Sequence, residues 1–263
     1  MNKETFDIFL IAMSATALVV FLCLYFIKAG YGMFRTKQWG WSIDNKVGWV
    51  LMEAPAFCGM LGLTVAGLCG SPSGASSVLF PSLLLAALFL LHYFQRSFIF
   101  PFKMQGKSKM PVAIMMMGVV FNLLNALMQG GGLFWFPNET LGLPLSEWIA
   151  QPHAWAGIIV FFLGMGINMH SDHVIRHLRA PGDTKHYLPQ KGVYRWVTSG
   201  NYFGELLEWT GFAIAAATPA AWVFVWWTAA NLVPRAHAIH KHYHAEFGDE
   251  ALGARRRIIP FIY

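Results

Sequence analysis

The sequence predicts an all-α integral membrane bundle of seven transmembrane helices, with its N-terminus outside and its C-terminus in the cytoplasm. Three observations carry this: scarce charge, long apolar runs, and basic residues confined to alternate loops. Of 263 residues, 56% are hydrophobic and only 12% are charged. Soluble domains carry about 25% charged residues, so too little polar surface is present to cover a water-soluble fold of this size. A helix crosses a bilayer with roughly 20 apolar residues, and several runs reach that length.

Seven runs qualify, at about 7–27, 47–69, 78–100, 111–129, 150–175, 199–217 and 219–244. No small-residue cleavage pattern follows the first, which is therefore expected to stay as a span. The fifth and seventh continue past the membrane as amphipathic extensions, and a short turn at Pro219 joins the sixth and seventh. Basic residues then fix the orientation. The 28–46 loop holds Lys28, Arg35, Lys37 and Lys46, and the 101–110 loop holds Lys103, Lys107 and Lys109. The 176–198 segment holds Arg176, Arg179, Lys185, Lys191 and Arg195, and the C-terminal segment holds Arg235, Lys241 and Arg255 to Arg257. The intervening loops, 70–77, 130–149 and the 218 turn, hold none, and Lys3 alone lies clearly on the other side. The positive-inside rule puts the basic loops in the cytoplasm, and seven spans give the required parity. The same topology explains the net charge of +6 without nucleic acid. No repeat or linker is evident, so residues 1–263 are expected to form one domain; a monomer is compatible with this, and the sequence leaves the oligomeric state open. The odd count of three cysteines (Cys23, Cys58, Cys69) argues for small apolar filler rather than disulfides.

An ionisable side chain inside a span costs about 2.5–3.5 kcal/mol on the insertion scale, so each needs a partner or a role. Glu53, Arg96, Asp172, Glu205 and Glu208 stand out. Glu53, in Trp49-Val-Leu-Met-Glu-Ala-Pro55, lies near the cytoplasmic start of span two. A carboxyl kept neutral in an apolar pocket can donate a hydrogen bond to a carbonyl oxygen; the alternative is a structural ion pair with Arg96 or another base. Tyr93 and Arg96, in His92-Tyr-Phe-Gln-Arg96, are three apart and can share a helix face. They offer a phenolic donor and a planar cationic fork suited to phosphate, although aromatics and arginines also anchor span ends.

Asn168, Asp172, Arg176 and Arg179 recur at intervals of four, four and three along the end of span five. Asn201, Glu205 and Glu208 form a second such stripe at the start of span six. Interhelical hydrogen bonding alone would be one use for them, but so many carboxylates point to a ligand cavity between the helices. Arg235, His240 and Tyr243 lie on the extension of span seven. With Arg96, Lys107 and Arg179 they gather cationic groups that suit a phosphate-rich cofactor, where the positive-inside bias would also place them. No Gly-x-Gly-x-x-Gly fingerprint after a strand and no P-loop occurs; Gly164 and Gly166 are expected to permit close helix packing instead. Of ten histidines, His173 and His177, and His240 and His244, are four apart. Adjacent His-His pairs are missing, and no metal site is expected. Asn138-Glu-Thr140 is a glycosylation sequon on the predicted outer face.

Several ordered motifs resemble the steroid 5α-reductase (3-oxo-5α-steroid 4-dehydrogenase) family, its animal type 2 members in particular. They are Gly30-Tyr31-Gly32, Glu53-Ala-Pro55, His92-Tyr-Phe-Gln-Arg96, Leu163-Gly-Met-Gly-Ile-Asn168-Met-His-Ser-Asp172, Pro181-Gly-Asp183, Gly200-Asn-Tyr-Phe-Gly-Glu205-Leu-Leu-Glu-Trp209 and Ile259-Pro-Phe-Ile-Tyr263. The resemblance implies NADPH as cofactor, a Δ4-3-ketosteroid or related lipid enone as substrate, and a seven-helix membrane fold. It implies that Glu53 and Tyr93 contact the 3-keto oxygen. It also implies that Tyr31, Arg96, Lys107, Asn168, Asp172, Arg179, Asn201, Glu205, Arg235 and Tyr243 surround NADPH. The type 2 pattern has Gln where this chain has Met52, Tyr where it has Phe100, and His at Ile239, beside His240. These departures bear on substrate preference and cofactor contacts. The host membrane is expected to be a bacterial cytoplasmic membrane or the endoplasmic reticulum, with the cofactor site facing the cytoplasm. The residues alone also leave open reduction of another enone or polyprenol lipid, an isoprenylcysteine-type membrane methyltransferase, or a sterol-binding protein without catalysis.

Overall fold

Asn2 starts the first helix: its side-chain oxygen accepts from the Thr5 amide at 2.8 Å, satisfying a donor that the first turn otherwise leaves unpaired. The computed structural model describes residues 1–27, 30, 39–70, 79–106, 108–180, 183 and 185–263, most of them helical. Helix α1 is Lys3–Phe26 and α2 is Asn45–Gly70. Helix α3, Phe80–Phe94, passes through a π-helical turn, Gln95–Ile99, into a last turn α4, Phe100–Lys103. Helix α5, Val112–Gly130, ends in a second π turn, Gly131–Trp135. A short α6, Leu145–Ile149, precedes α7, Pro152–Arg176, and α8, Gly200–Ala216. Helix α9 is Pro219–Leu252, broken at Gly248, whose φ of 77° only glycine adopts readily.

Five stretches are long and apolar enough to cross a membrane: Lys3–Phe26, Asn45–Gly70, Phe80–Lys103, Val112–Trp135 and Pro152–Arg176. They coincide with the first five expected spans. Helices α8 and α9 stand where the sixth and seventh were expected; α8 has only 17 residues, and α9 carries Arg235 and Lys241 along its length. Large apolar side chains such as Ile11, Val65 and Ile159 are more than half exposed, as lipid-facing surfaces require. The three cysteines are free and exposed, so they face outward rather than fill the core.

The structure is mostly helical, as expected, and adds one small sheet. Strands β1 (Ser42–Asp44) and β2 (Lys109–Pro111) pair antiparallel, with Ile43 opposite Met110. Where helices end, backbone groups must find partners, and here two basic loops supply them to each other. A further bridge joins Val197 to Arg256, and the Thr198 and Ser199 amides donate to Arg256 and Arg257 carbonyls. Four basic segments are thereby joined two by two. The Asn138 amide nitrogen donates to the Ala216 and Ala217 carbonyls at 3.1 and 3.0 Å, so the sequon asparagine caps the end of α8.

Helices α7 and α8 approach through glycine. A Cβ on Gly164 would lie 2.2 Å from the Glu208 amide nitrogen, and one on Gly204 would lie 2.3 Å from the Asn168 nitrogen. Gly157 and Gly211 make equivalent contacts a further heptad along. Such small residues let two backbones touch, and that contact draws the polar stripes of the two helices together. Gly166 faces open space instead, which corrects its expected packing role. Gly164→Val should therefore destabilise the protein by at least about 1–3 kcal/mol, read as a lower melting temperature in detergent. Gly166→Ala should stay within about 0.5 kcal/mol of wild type.

Candidate functional site

Arg96 is the hub of a buried polar network. It sits in the π-helical turn after α3, a local widening that recurs at functional positions. Its guanidinium lies 3.2 Å from Asp172 Oδ2 and 3.7 Å from Glu205 Oε2. The same group covers the rings of Phe100, 4.4 Å to the centroid, and Trp49, 5.0 Å. Phe100, where the type 2 pattern has Tyr, thus keeps an aromatic face for the cation. The expected alternative of an Arg96–Glu53 ion pair is not the arrangement found; the guanidinium is taken by the α7 and α8 carboxylates.

The two stripes interlock as the glycine contact allows. Asn168 donates to the Asn201 carbonyl at 2.9 Å and to Glu205 Oε2 at 3.4 Å, while Asn201 donates to Asp172 Oδ1 at 3.1 Å. Asn168 and Asp172 are buried. Beside them, Ser171 and Ser199 have buried hydroxyls without a hydrogen-bond partner among the described residues. Buried polar groups are normally bonded, so these hydroxyls mark places where a ligand's polar groups can be received. Glu208, fully buried, bonds His92 at 2.8 Å, and its second oxygen has no hydrogen-bond partner among the described residues.

Glu53 and Tyr93 come from different helices, and α5 brings them together. Asn122 and Asn125 lie three apart on one helix face. Asn122 donates to Glu53 Oε2 at 3.3 Å and to the Met52 carbonyl at 2.7 Å. Asn125 donates to the Tyr93 hydroxyl oxygen at 3.1 Å. Gln129 holds Asn125 in turn, donating to its Oδ1 at 3.4 Å and to the Ala220 carbonyl at 3.0 Å. The Tyr93 oxygen therefore accepts from Asn125, which leaves its own proton for another acceptor. Glu53 is within electrostatic reach of Tyr93, Arg96 and Glu205, so the catalytic and cofactor candidates share one region. Met52 packs against Gly118 of α5.

At the margin of this network Arg235 donates to the Tyr202 hydroxyl at 2.5 Å. Tyr194, buried, bonds Asn201 Oδ1 at 3.5 Å and is within electrostatic reach of Tyr243, itself near Arg179. Past α7, the Lys185 amide and the Tyr187 hydroxyl donate to Asp183 and hold its carboxyl below the usual carboxylate range. His240 reaches Thr198 at 3.4 Å. Tyr31 and Lys107 lie outside the described residues. An open cleft of about 410 Å³, lined by His170, His173, His177, Tyr187, Gln190 and Lys191 among others, involves none of the predicted site residues.

Sequence reasoning missed Asn122, Asn125 and Gln129, although three amides spaced three and four apart in an apolar span are themselves a signal. It also missed Tyr194, which carries no distinguishing pattern, and Tyr202, which lies within the Gly200–Trp209 motif but was given no role.

Comparison with known proteins is concordant along the chain. Residues 108–263 match a family model described as 3-oxo-5-alpha-steroid 4-dehydrogenase. The chain is 32% identical to 3-oxo-5-alpha-steroid 4-dehydrogenase 1 of Bos taurus, over 94% of this chain and 93% of that protein. It is 33% identical to Steroid 5-alpha-reductase DET2 of Gossypium hirsutum, over 100% and 99% of the two. It is likewise 33% identical to 3-oxo-5-alpha-steroid 4-dehydrogenase 2 of Sus scrofa, over 92% and 91%. Glu53, Tyr93 and Arg96 precede the part matched by the family model but fall within the full-length relationship to the Gossypium protein.

Proposed function

Because this chain belongs to the 3-oxo-5-alpha-steroid 4-dehydrogenase family of oxidoreductases, we propose that it reduces the Δ4 double bond of a 3-oxo steroid, or of a related lipid enone, with NADPH. The residues fit such a cofactor. Asn168, Asp172, Asn201 and Glu205 offer amides and carboxylates for its hydroxyl and carboxamide groups, with the unpartnered Ser171 and Ser199 hydroxyls beside them. The carboxylates would repel phosphate, so the phosphates belong at the rim with Arg179, Arg235 and Tyr243. Arg96 holds the two carboxylates in place. The chemistry the cofactor supplies when bound is a hydride, delivered to C5, the β-carbon of the enone.

Negative charge then gathers on the 3-oxo oxygen as the enolate forms. Tyr93, with its proton free, and Glu53, in the neutral form that an apolar site favours, donate hydrogen bonds to that oxygen. Donors fixed in advance where charge will develop lower the barrier more than they would in water. Asn122 and Asn125 fix both side chains, so little reorganisation is left for the reacting state. Carbon 4 takes its proton from water. The observation that carries this reading is the α5 amide pair holding Glu53 and Tyr93 side by side next to the Arg96 network.

The membrane arrangement proposed with it is one seven-helix domain over residues 1–263, acting as a monomer. Helices α8 and α9 complete the spans, the N-terminus lies outside, and the cofactor site opens to the cytoplasm of a bacterial membrane or the endoplasmic reticulum. The alternation of basic loops supports this, as does the pairing of those loops with one another. The substrate enters from lipid between helices.

The test is NADPH oxidation by the purified protein across a panel of Δ4-3-oxo steroids, a polyprenol and an enoyl thioester, with product analysis. Enone-dependent oxidation yielding a 5α-reduced steroid is expected. Steroid binding without NADPH consumption would make the protein a sterol binder, and methyl transfer from S-adenosylmethionine would make it a methyltransferase; either result removes the reductase reading.

A further inference from the structure

Neither histidine pair singled out by spacing, His173 with His177 or His240 with His244, includes the trio that the fold assembles. His242 and Glu246 lie one turn apart on α9. His186 reaches them from the segment between α7 and α8, 60 residues away in sequence. His186 Nδ1 is 2.8 Å from Glu246 Oε1, and His242 Nε2 is 3.1 Å from Glu246 Oε2. One ligand atom from each residue falls within a sphere of separations no larger than 4.8 Å. From this geometry we infer that His186, His242 and Glu246 form a binding site for a divalent transition-metal ion, with Zn²⁺ the best-matched class.

The donor chemistry selects the ion. Two imidazoles and a carboxylate are borderline nitrogen and oxygen ligands, a set that suits zinc rather than calcium or magnesium, which require mainly oxygen. With bonds of about 2.0–2.1 Å, ligand atoms in a tetrahedral site lie roughly 3.3 Å apart. The separations of 2.8 and 3.1 Å, each to a different Glu246 oxygen, need a small expansion, and the others, no larger than 4.8 Å, a contraction through side-chain rotation to accept the ion. All three side chains are partly exposed, between 31% and 41%, so water can take a fourth position. The nearby Asp183–Tyr187 hydrogen bond at 2.8 Å already organises the segment that carries His186. Metal binding would staple that segment to α9, across the rim where Arg179 and Tyr243 lie, and the sequence separation makes the cross-link a long-range one. The inference concerns metal binding alone and does not depend on the reductase reading.

The test uses full-length protein purified in detergent through a tag free of histidine and stripped with a chelator. Calorimetric titration with Zn²⁺ should give one saturable site per chain, and Co²⁺ should give the visible absorption of a four-coordinate ion. Loss of an outer-shell partner alone costs about 10–100-fold in affinity. His186→Ala, His242→Ala and Glu246→Gln should each therefore weaken Zn²⁺ binding by at least ~10-fold. His173→Ala and His177→Ala should leave it unchanged. His186→Cys keeps a zinc ligand, so it should restore saturable binding and add a thiolate band to the Co²⁺ spectrum, which separates ligation from a folding defect. Zn²⁺ should raise the melting temperature of wild type and not of the alanine variants. Saturable binding that survives all three ligand replacements, or no one-to-one binding to wild type, would overturn the inference.

Discussion

Tyr93→Phe should lower turnover of a Δ4-3-oxo steroid by about 100–1,000-fold, the usual cost of removing one oxyanion donor, with a much smaller change in KM. The hydroxyl is the only group lost. The ring keeps its contacts with Phe89 and Trp209, at centroid distances of 4.6 and 5.9 Å. Asn125 would lose its acceptor, yet Gln129 still fixes it through Oδ1. An effect confined to kcat is the mark of an interaction made mainly in the transition state. Glu53→Ala should lose a similar factor, and Glu53→Gln less, because an amide still donates a weaker hydrogen bond. Single-turnover rates of NADPH oxidation are the measurement. Near-normal rates in both Tyr93→Phe and Glu53→Ala would remove these residues from the chemistry.

Arg96→Ala should be the most destabilising single change in the polar network, by about 3–5 kcal/mol, because it strands Asp172 and Glu205 as buried carboxylates without their cation. In a chain of this size about 2–4 °C of melting temperature corresponds to each kcal/mol, so the loss is easily read in a detergent melt. Arg96→Lys keeps the charge but loses the fork that spans both carboxylates and the flat face over Phe100. It should recover part of the stability and little of the cofactor affinity. The triple replacement Arg96→Met, Asp172→Leu, Glu205→Leu should recover stability through apolar packing, as buried ion clusters do when replaced whole, while NADPH binding stays lost. Recovery of NADPH binding in that triple variant would show that the cluster serves the fold alone.

Much of this was visible along the chain. Apolar runs longer than a bilayer is thick have one low-energy conformation in lipid, the helix, because only there are all backbone groups satisfied within the segment. Helices therefore appear at every expected run to within a few residues, apart from the extension of α9 to Leu252 and the π turns at the ends of α3 and α5. The stripes on α7 and α8 were legible for the same reason. A carboxylate in an apolar span is costly enough to be informative from its position alone. Gly164 and Gly166 show the limit: they are two apart, so they face different sides of α7, and only the position of α8 distinguishes the glycine that must be small from the one that need not be.

Ordered motifs carried the resemblance to the family; composition and residue order determined a membrane helical bundle and the list of polar residues that demand a partner. These follow from local energies, the transfer of each side chain and each backbone group out of water, which depend on residue type and its immediate neighbours. Which partner each polar group takes was decided by the tertiary structure. Arg96 bonds Asp172 and Glu205 rather than Glu53, the α5 amides unite Glu53 with Tyr93, and His186 finds Glu246 rather than another histidine. Those choices depend on the rotation and closeness of helices far apart in sequence, set by backbone-to-backbone glycine contact and by a π turn, and no residue's own free energy of transfer encodes them.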